Sequence, residues 1–351
     1  MGSEHAKAYA CLSDVAEVRV VFDASGERAA RRAKELGAGC VSSLDAALEY
    51  PRVDAVDVCL PSDLHASVTI RALEAGRHVL VQKPIALSLE DADTMRRAAK
   101  KAGRVLMVAM TLRFWPACEA LEQLAASGRL GRVVGLVAER LSPPTTWNAW
   151  MADSVRSGGV AVALMIHDLD LVGRYLGSPR AVVAQAVGDR GVGTQSIFAL
   201  IDCEGGVAQV SGSEEMPARF PFSSMVRHIG SEGSAEFRYR DIGNVHGGNL
   251  SEASTPSNID IWRNREQERL QVPTGPSPWV REVEHFIRCV ITGQEPQIGA
   301  FEDARAALSL ALLVRSSVAN DQESPGLSVV QPFSPNGRTQ EARPNTARER
   351  A

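Results

Sequence analysis

The chain has 351 residues, 44% hydrophobic and 23% charged, enough to bury a substantial core in two ordinary domains or one large one. Its formal charge of −4 gives no basic footprint for nucleic acid or an anionic membrane surface, so the expected partner is a small molecule.

The first third of the chain alternates between strand and helix signals. Val18 to Phe22 predicts a strand, Ser25 to Leu36 a helix rich in Ala, Arg and Glu, and Asp54 to Leu60 a second strand. His65 to Ala75 predicts a helix, His78 to Val81 a strand, Ser88 to Lys101 a helix and Arg104 to Ala109 a strand. Alternation at these lengths implies right-handed crossovers and a doubly wound parallel sheet. The stretches 132–140, 180–188, 194–203 and 206–213 then read as strands separated by Gly and Pro turns, which predicts a mainly antiparallel sheet. Gly230 and Gly233 read as turn glycines and not as phosphate binders. Trp279 to Ile291 and Phe301 to Ser317 read as closing amphipathic helices. The expected organisation is a dinucleotide-binding domain over 1–112, a substrate domain over 113–318 and a disordered tail over 319–351, where little remains to bury.

No apolar run is long enough to span a bilayer, and no basic segment followed by an apolar core marks a secretory leader, so the cytoplasm is the expected location. Cys11, Cys40, Cys59, Cys118, Cys203 and Cys289 form no CxxC pair and no His/Cys cluster in sequence. They point to reduced thiols, with no disulfide framework and no metal site.

Ligands of an open parallel sheet sit at the carboxyl ends of its strands. Three such ends carry chemistry here: Asp23, then Leu60-Pro61-Ser62, then Gln82-Lys83-Pro84. A carboxylate at Asp23 is placed to accept hydrogen bonds from an NAD ribose and to repel a 2′-phosphate; it reads equally as a helix cap. Lys83 ends the apolar run Val79-Leu80-Val81, a place where an ammonium group needs a partner or a task, and the proline after it restricts its backbone.

The run "DAVDVCLPSDLHASVTIRALEAGRHVLVQKPIALSLEDADTM" resembles the glucose–fructose oxidoreductase and inositol dehydrogenase (Gfo/Idh/MocA) family. The resemblance continues through "LRFWPACEAL", "WMADSVRSGGVAVALMIHDLDLVGRYLG" and "PQIGAFEDARAALSLALLVRSS", to about residue 318. It implies an N-terminal Rossmann domain and a C-terminal α/β domain with an open-faced sheet through which copies self-associate. It also implies NAD, with NADP not excluded, and a hydroxyl or keto group on a sugar, sugar nucleotide or inositol as the reacting centre.

By this resemblance Lys83 corresponds to the family's active-site lysine, and His167 in "MIHDLDL" to its catalytic histidine. Asp170, Arg113 and Trp150 correspond to residues facing substrate. Gly2, Asp23, Leu60, Ser62, His65, Gln82 and Lys83 correspond to residues near the dinucleotide. The chain departs from the family pattern at Gln82 (usually Glu), Thr111 (often Asn), Ala163 (usually the Asp that pairs with the histidine) and Met165 (usually Gly). These departures keep a second reading open, a non-catalytic member that binds a ligand or partner without turnover. A third, a lyase or hydrolase using transient oxidation, would need tightly held NAD.

"MGSEHAKAYACL" resembles the end of the family's glycine-rich loop, with Gly2 as its third glycine and His5 as the histidine of the following helix. The family spacing leads us to expect the first strand in roughly ten residues upstream of Met1.

Overall fold

The computed structural model describes residues 1–145, 148–188, 195–241 and 257–323. It opens with α1 (Gly2–Cys11), β1 (Val20–Val21), α2 (Gly26–Leu36), β2 (Gly39–Cys40) and α3 (Leu44–Leu48). The alternation continues with β3 (Ala55–Val58), α4 (His65–Glu74), β4 (His78–Gln82), α5 (Leu89–Ala102) and β5 (Leu106–Ala109). Ser25, Ser43 and Ser88 cap α2, α3 and α5 by accepting the backbone N–H three residues on, and Gly37 and Gly103 close α2 and α5 at φ 65° and 60°.

All pairings in this half are parallel, in two sheets: β1 with β2, and β3-β4-β5. These are the two flanks of a 3-2-1-4-5-6 order, in which one strand between β1 and β3 would join them; among the described residues none does. Val79, Leu80, Val81 and all of β5 are fully buried, as expected of parallel strands covered on both faces.

The second half is built on an eight-stranded sheet of order β13-β12-β11-β10-β6-β9-β8-β7. Its strands are β6 (Val133–Leu141), β7 (Pro179–Val187), β8 (Ser196–Cys203), β9 (Val207–Ser213), β10 (Ser223–Gly230), β11 (Gly233–Arg240), β12 (Ser257–Arg263) and β13 (Glu266–Val272). Every neighbouring pair is antiparallel except β6 with β9. Gly230 and Gly233 bracket the tight β10–β11 turn, as expected.

Between β5 and β7 the chain forms α6 (Pro116–Ala126), α7 (Ala149–Ala152), α8 (Ser154–Ser157), α9 (Gly159–Ala163) and α10 (Ile166–Leu176), and it closes with α11 (Pro278–Thr292) and α12 (Phe301–Glu323). Helices α10 and α12 cover one face of the large sheet, and α11 packs on α1. The other face is open. Along β8, Ile197, Ala199 and Ile201 are buried while Phe198 and Leu200 are more than half exposed.

Helix α12 runs to Glu323, beyond the helix end expected at Ser317. The rest of the expected tail lies outside the described residues. Among the described residues no helix is long and apolar enough to cross a membrane, and all six cysteines are free thiols.

Candidate active site

The carboxyl edge of the parallel strands gathers the residues singled out in sequence. Asp23 follows β1, Leu60 and Ser62 follow β3, Gln82 ends β4, Lys83 follows it, and Gly2 starts α1. Helix α1 has no side-chain cap at its start, so no side chain competes for the free amides of its first turn.

Lys83 is half-buried, and its ammonium donates to the Ala163 carbonyl at 2.6 Å. Burial, then the charge of Arg140, brings its pKa down to about 8, while Glu214 and Asp168 oppose that shift. His167, on the first turn of α10, lines the same cavity. Burial, followed by the charges of Lys83 and Arg140, pushes its pKa well below the ordinary histidine value, so the ring is neutral at pH 7. Its Nδ1 is buried and has no hydrogen-bond partner among the described residues. The family's aspartate would stand four residues earlier, where this chain has Ala163.

The cavity lies between the end of β4, the start of α10 and the covered face of the large sheet. Gln82, Lys83, Thr111, Arg140 and His167 supply its polar floor, and Trp115, Phe222, Tyr239 and Trp279 are among its walls. Arg140 sits in the core-facing row of β6 and is 4% exposed. A guanidinium there requires a counter-ion. Asp168, fully buried on α10, accepts from Arg140 Nε and Nη2 at 2.8 and 2.9 Å, and the Phe222 ring centroid lies 5.7 Å from Arg140 Cζ. Sequence reasoning passed over Arg140. The available signal was the alternation Leu136, Ala138, Arg140, which puts an arginine on the apolar side of a strand.

Two of the residues expected to face substrate engage each other. Arg113 and Asp170 pair with each other, Nε to Oδ2 at 2.7 Å and Nη2 to Oδ1 at 2.6 Å, and Arg113 Nη1 also reaches Asp303 Oδ2 at 2.5 Å. Both are buried and neither is among the residues that line the cavity. Trp150 is half-buried on α7 and also stands outside the cavity lining.

His65 opens α4 and is buried. Its Nδ1 lies 2.7 Å from the Pro84 carbonyl and its Nε2 2.9 Å from the Leu60 carbonyl. The ring thus pins the turn after β3 to the turn that carries Lys83. Burial lowers its pKa despite these two carbonyls.

Behind Gln82 lies a polar network absent from the sequence reading. His5 Nδ1 is 2.7 Å from Asp57 Oδ2, and Cys59 Sγ is 3.3 Å from Asp57 Oδ1 and 3.7 Å from His5 Nδ1. His5 Nε2 lies 2.8 Å from the Gln82 amide and 3.6 Å from Glu282 Oε2, which accepts from Thr111 Oγ1 at 2.9 Å. Burial works against a charge on His5, but Asp57 outweighs it and the pKa is raised; burial pushes Glu282 up to about 7. The His/Cys cluster that linear spacing did not show is therefore made by the fold from residues 5, 57 and 59. Its members already engage one another as an ion pair and a thiol hydrogen bond. Two of the departures from the family pattern, Gln82 and Thr111, both touch this network.

Asp23 accepts from the Ser25 backbone at 2.8 Å and from Arg28 Nη2 at 2.7 Å. The helix cap is Ser25, so the capping alternative for Asp23 fails. Partial burial works to raise the Asp23 pKa, and the hydrogen bonds from Arg28 and Ser25 lower it overall.

The chain matches the family models for the NAD-binding Rossmann fold of the Gfo/Idh/MocA oxidoreductases over residues 1–110 and for that family's C-terminal domain over residues 118–236. It is 29% identical to 1,5-anhydro-D-fructose reductase of Ensifer adhaerens, covering 87% of this chain and 90% of that one. It is 28% identical to inositol 2-dehydrogenase of Rhizobium meliloti, covering 92% and 95%. The crystal structure of UDP-N-acetylglucosamine 3-dehydrogenase from Acidithiobacillus ferrooxidans superposes with a TM-score of 0.73 at 28% identity, covering 90% and 93%.

Proposed function

The chain belongs to the Gfo/Idh/MocA oxidoreductase family, and from that premise we propose that it moves a hydride between nicotinamide and a secondary hydroxyl or ketone of a sugar, sugar nucleotide or inositol. The observation that carries this reading is the pairing of Lys83 and His167 in one cavity at the carboxyl edge of the sheet. The uncapped start of α1 fits a pyrophosphate and Asp23 fits the adenosine ribose, which leaves the Lys83 cavity for the reacting end.

Bound nicotinamide supplies the hydride acceptor in oxidation and the donor in reduction. This chain's residues handle the proton. With a pKa of about 8, Lys83 is present in both forms near neutrality, so it takes the hydroxyl proton in oxidation and returns one in reduction. His167 is neutral and lines the cavity with Lys83, which suits its ring to hydrogen-bond substrate.

The test is NAD reduction followed by absorbance across a panel of inositols, sugars, sugar acids and sugar nucleotides. Turnover on at least one class is expected. Tight NAD binding without turnover on any of them would favour the non-catalytic reading.

Cofactor choice gives a separate prediction. NAD should bind several-fold more tightly than NADP, because the Asp23 carboxylate repels a 2′-phosphate more than Arg28, its surface partner, attracts one. Asp23→Ala should erase the difference. Equal affinities in the unmodified protein, measured by dinucleotide fluorescence titration, would refute the assignment. The exposed row Val187, Phe198, Leu200 and Val207 on the open sheet face further supports self-association of the chain through that face.

A further inference from the structure

We propose that the substrate carries a carboxylate on the carbohydrate itself, and that Arg140 is the residue that receives it. This rests on the oxidoreductase reading above and narrows its substrate class to sugar acids.

The argument begins with what Arg140 lacks. Asp168 occupies its Nε and Nη2 at 2.8 and 2.9 Å, and Nη1 has no hydrogen-bond partner among the described residues although the residue lines the cavity. A guanidinium is a rigid fork of donors. With one edge held by a carboxylate, the other is oriented in advance for a second one. Ser224, opposite Arg140 in the β6–β10 register and also in the cavity lining, adds a hydroxyl donor beside it.

The charge of the cavity points the same way. Two lining residues, Lys83 and Arg140, carry positive charge, and among the described residues no lining residue is acidic. At the two positions where the family pattern has a carboxylate, this chain has Gln82 and Ala163. Asp168 lies behind Arg140 and Glu214 outside the lining, so neither offers an anion to the cavity itself. A neutral polyol would enter a pocket whose buried cations exceed the anions facing it. A carboxylate would balance that charge in a poorly hydrated site, where the interaction is strong. Arg140 shares the pocket with Lys83 and His167, so the anion it binds belongs to the reacting sugar; a diphosphate several bonds away is the competing source.

The experiment compares D-glucuronate, D-galacturonate and D-gluconate with D-glucose, D-galactose and sorbitol, and UDP-glucuronate with UDP-glucose. It uses calorimetric binding to the NADH-loaded protein and NAD-linked turnover. At least one acid should bind more tightly than its neutral counterpart by roughly 30-fold or more, the range expected of a buried hydrogen-bonded charge pair. In Arg140→Gln/Asp168→Asn, which removes the pair without stranding a buried carboxylate, that acid-to-neutral ratio should collapse toward one. Neutral sugars binding as well as every acid, or a ratio unmoved in the double variant, would overturn the proposal. Equal affinity for UDP-glucose and UDP-glucuronate, both far above the free sugars, would assign the anion to the diphosphate and overturn it too. Because binding is read directly, absence of turnover would count against the oxidoreductase reading and leave this inference to be judged by the binding arm.

Discussion

Lys83→Ala should reduce turnover by roughly 10²–10⁴-fold and leave NAD affinity nearly unchanged, the signature of losing an acid–base group that acts on substrate. The ammonium is hydrogen-bonded to a backbone carbonyl and held at a pKa of about 8 by desolvation and by Arg140. Removing it leaves only the neutral ring of His167 to meet the substrate oxygen. His167→Ala should cost less, because the carboxylate that would have raised that ring's basicity is replaced by Ala163 and Nδ1 is unpaired. Steady-state kinetics on the best substrate from the panel, with dinucleotide titration in parallel, reads both effects. Full activity in Lys83→Ala would remove the lysine from the chemistry.

The largest stability effect is expected at Arg113. Arg113→Met should destabilise the fold by about 3–5 kcal/mol, because Asp170 would remain buried with its counter-ion gone. The double variant Arg113→Met/Asp170→Leu should recover most of that loss, since replacing a whole buried pair with apolar groups is often neutral. Urea unfolding of the three proteins gives the comparison. A single variant within about 1 kcal/mol of the parent would mean that Asp170 is kept protonated or solvated without Arg113, in line with the upward pull of burial on its pKa.

The parts of this account that were legible in sequence are those written in local pattern. Val79 to Pro84 announced a buried strand ending in a lysine, and the alternation over 54–109 announced a parallel sheet. Both follow from short-range periodicity and from where apolar runs stop. The strands β10 to β13 were missed because their open-face rows carry Arg227, Glu236, Arg238 and Asp260, which dilute the apolar alternation with surface charge. The partners of buried charges were missed for a different reason. Arg113 meets Asp170 across 57 positions and Thr111 meets Glu282 across 171, and nothing in local spacing links them. Asp168 likewise meets Arg140 across 28 positions, from the helix that packs on the strand carrying Arg140.

The most direct test of the central claim, that Lys83 is the group that exchanges the substrate proton, is the pH dependence of kcat/KM for NAD-linked oxidation. Below its pKa Lys83 is protonated and cannot accept a proton. The account therefore predicts a tenfold rise per pH unit that levels off above about pH 8, with the mirror-image fall in the reductive direction. The inflection should vanish from the residual activity of Lys83→Ala. An inflection near pH 8 that persists unmoved in that variant, or a flat profile in the parent, would contradict it.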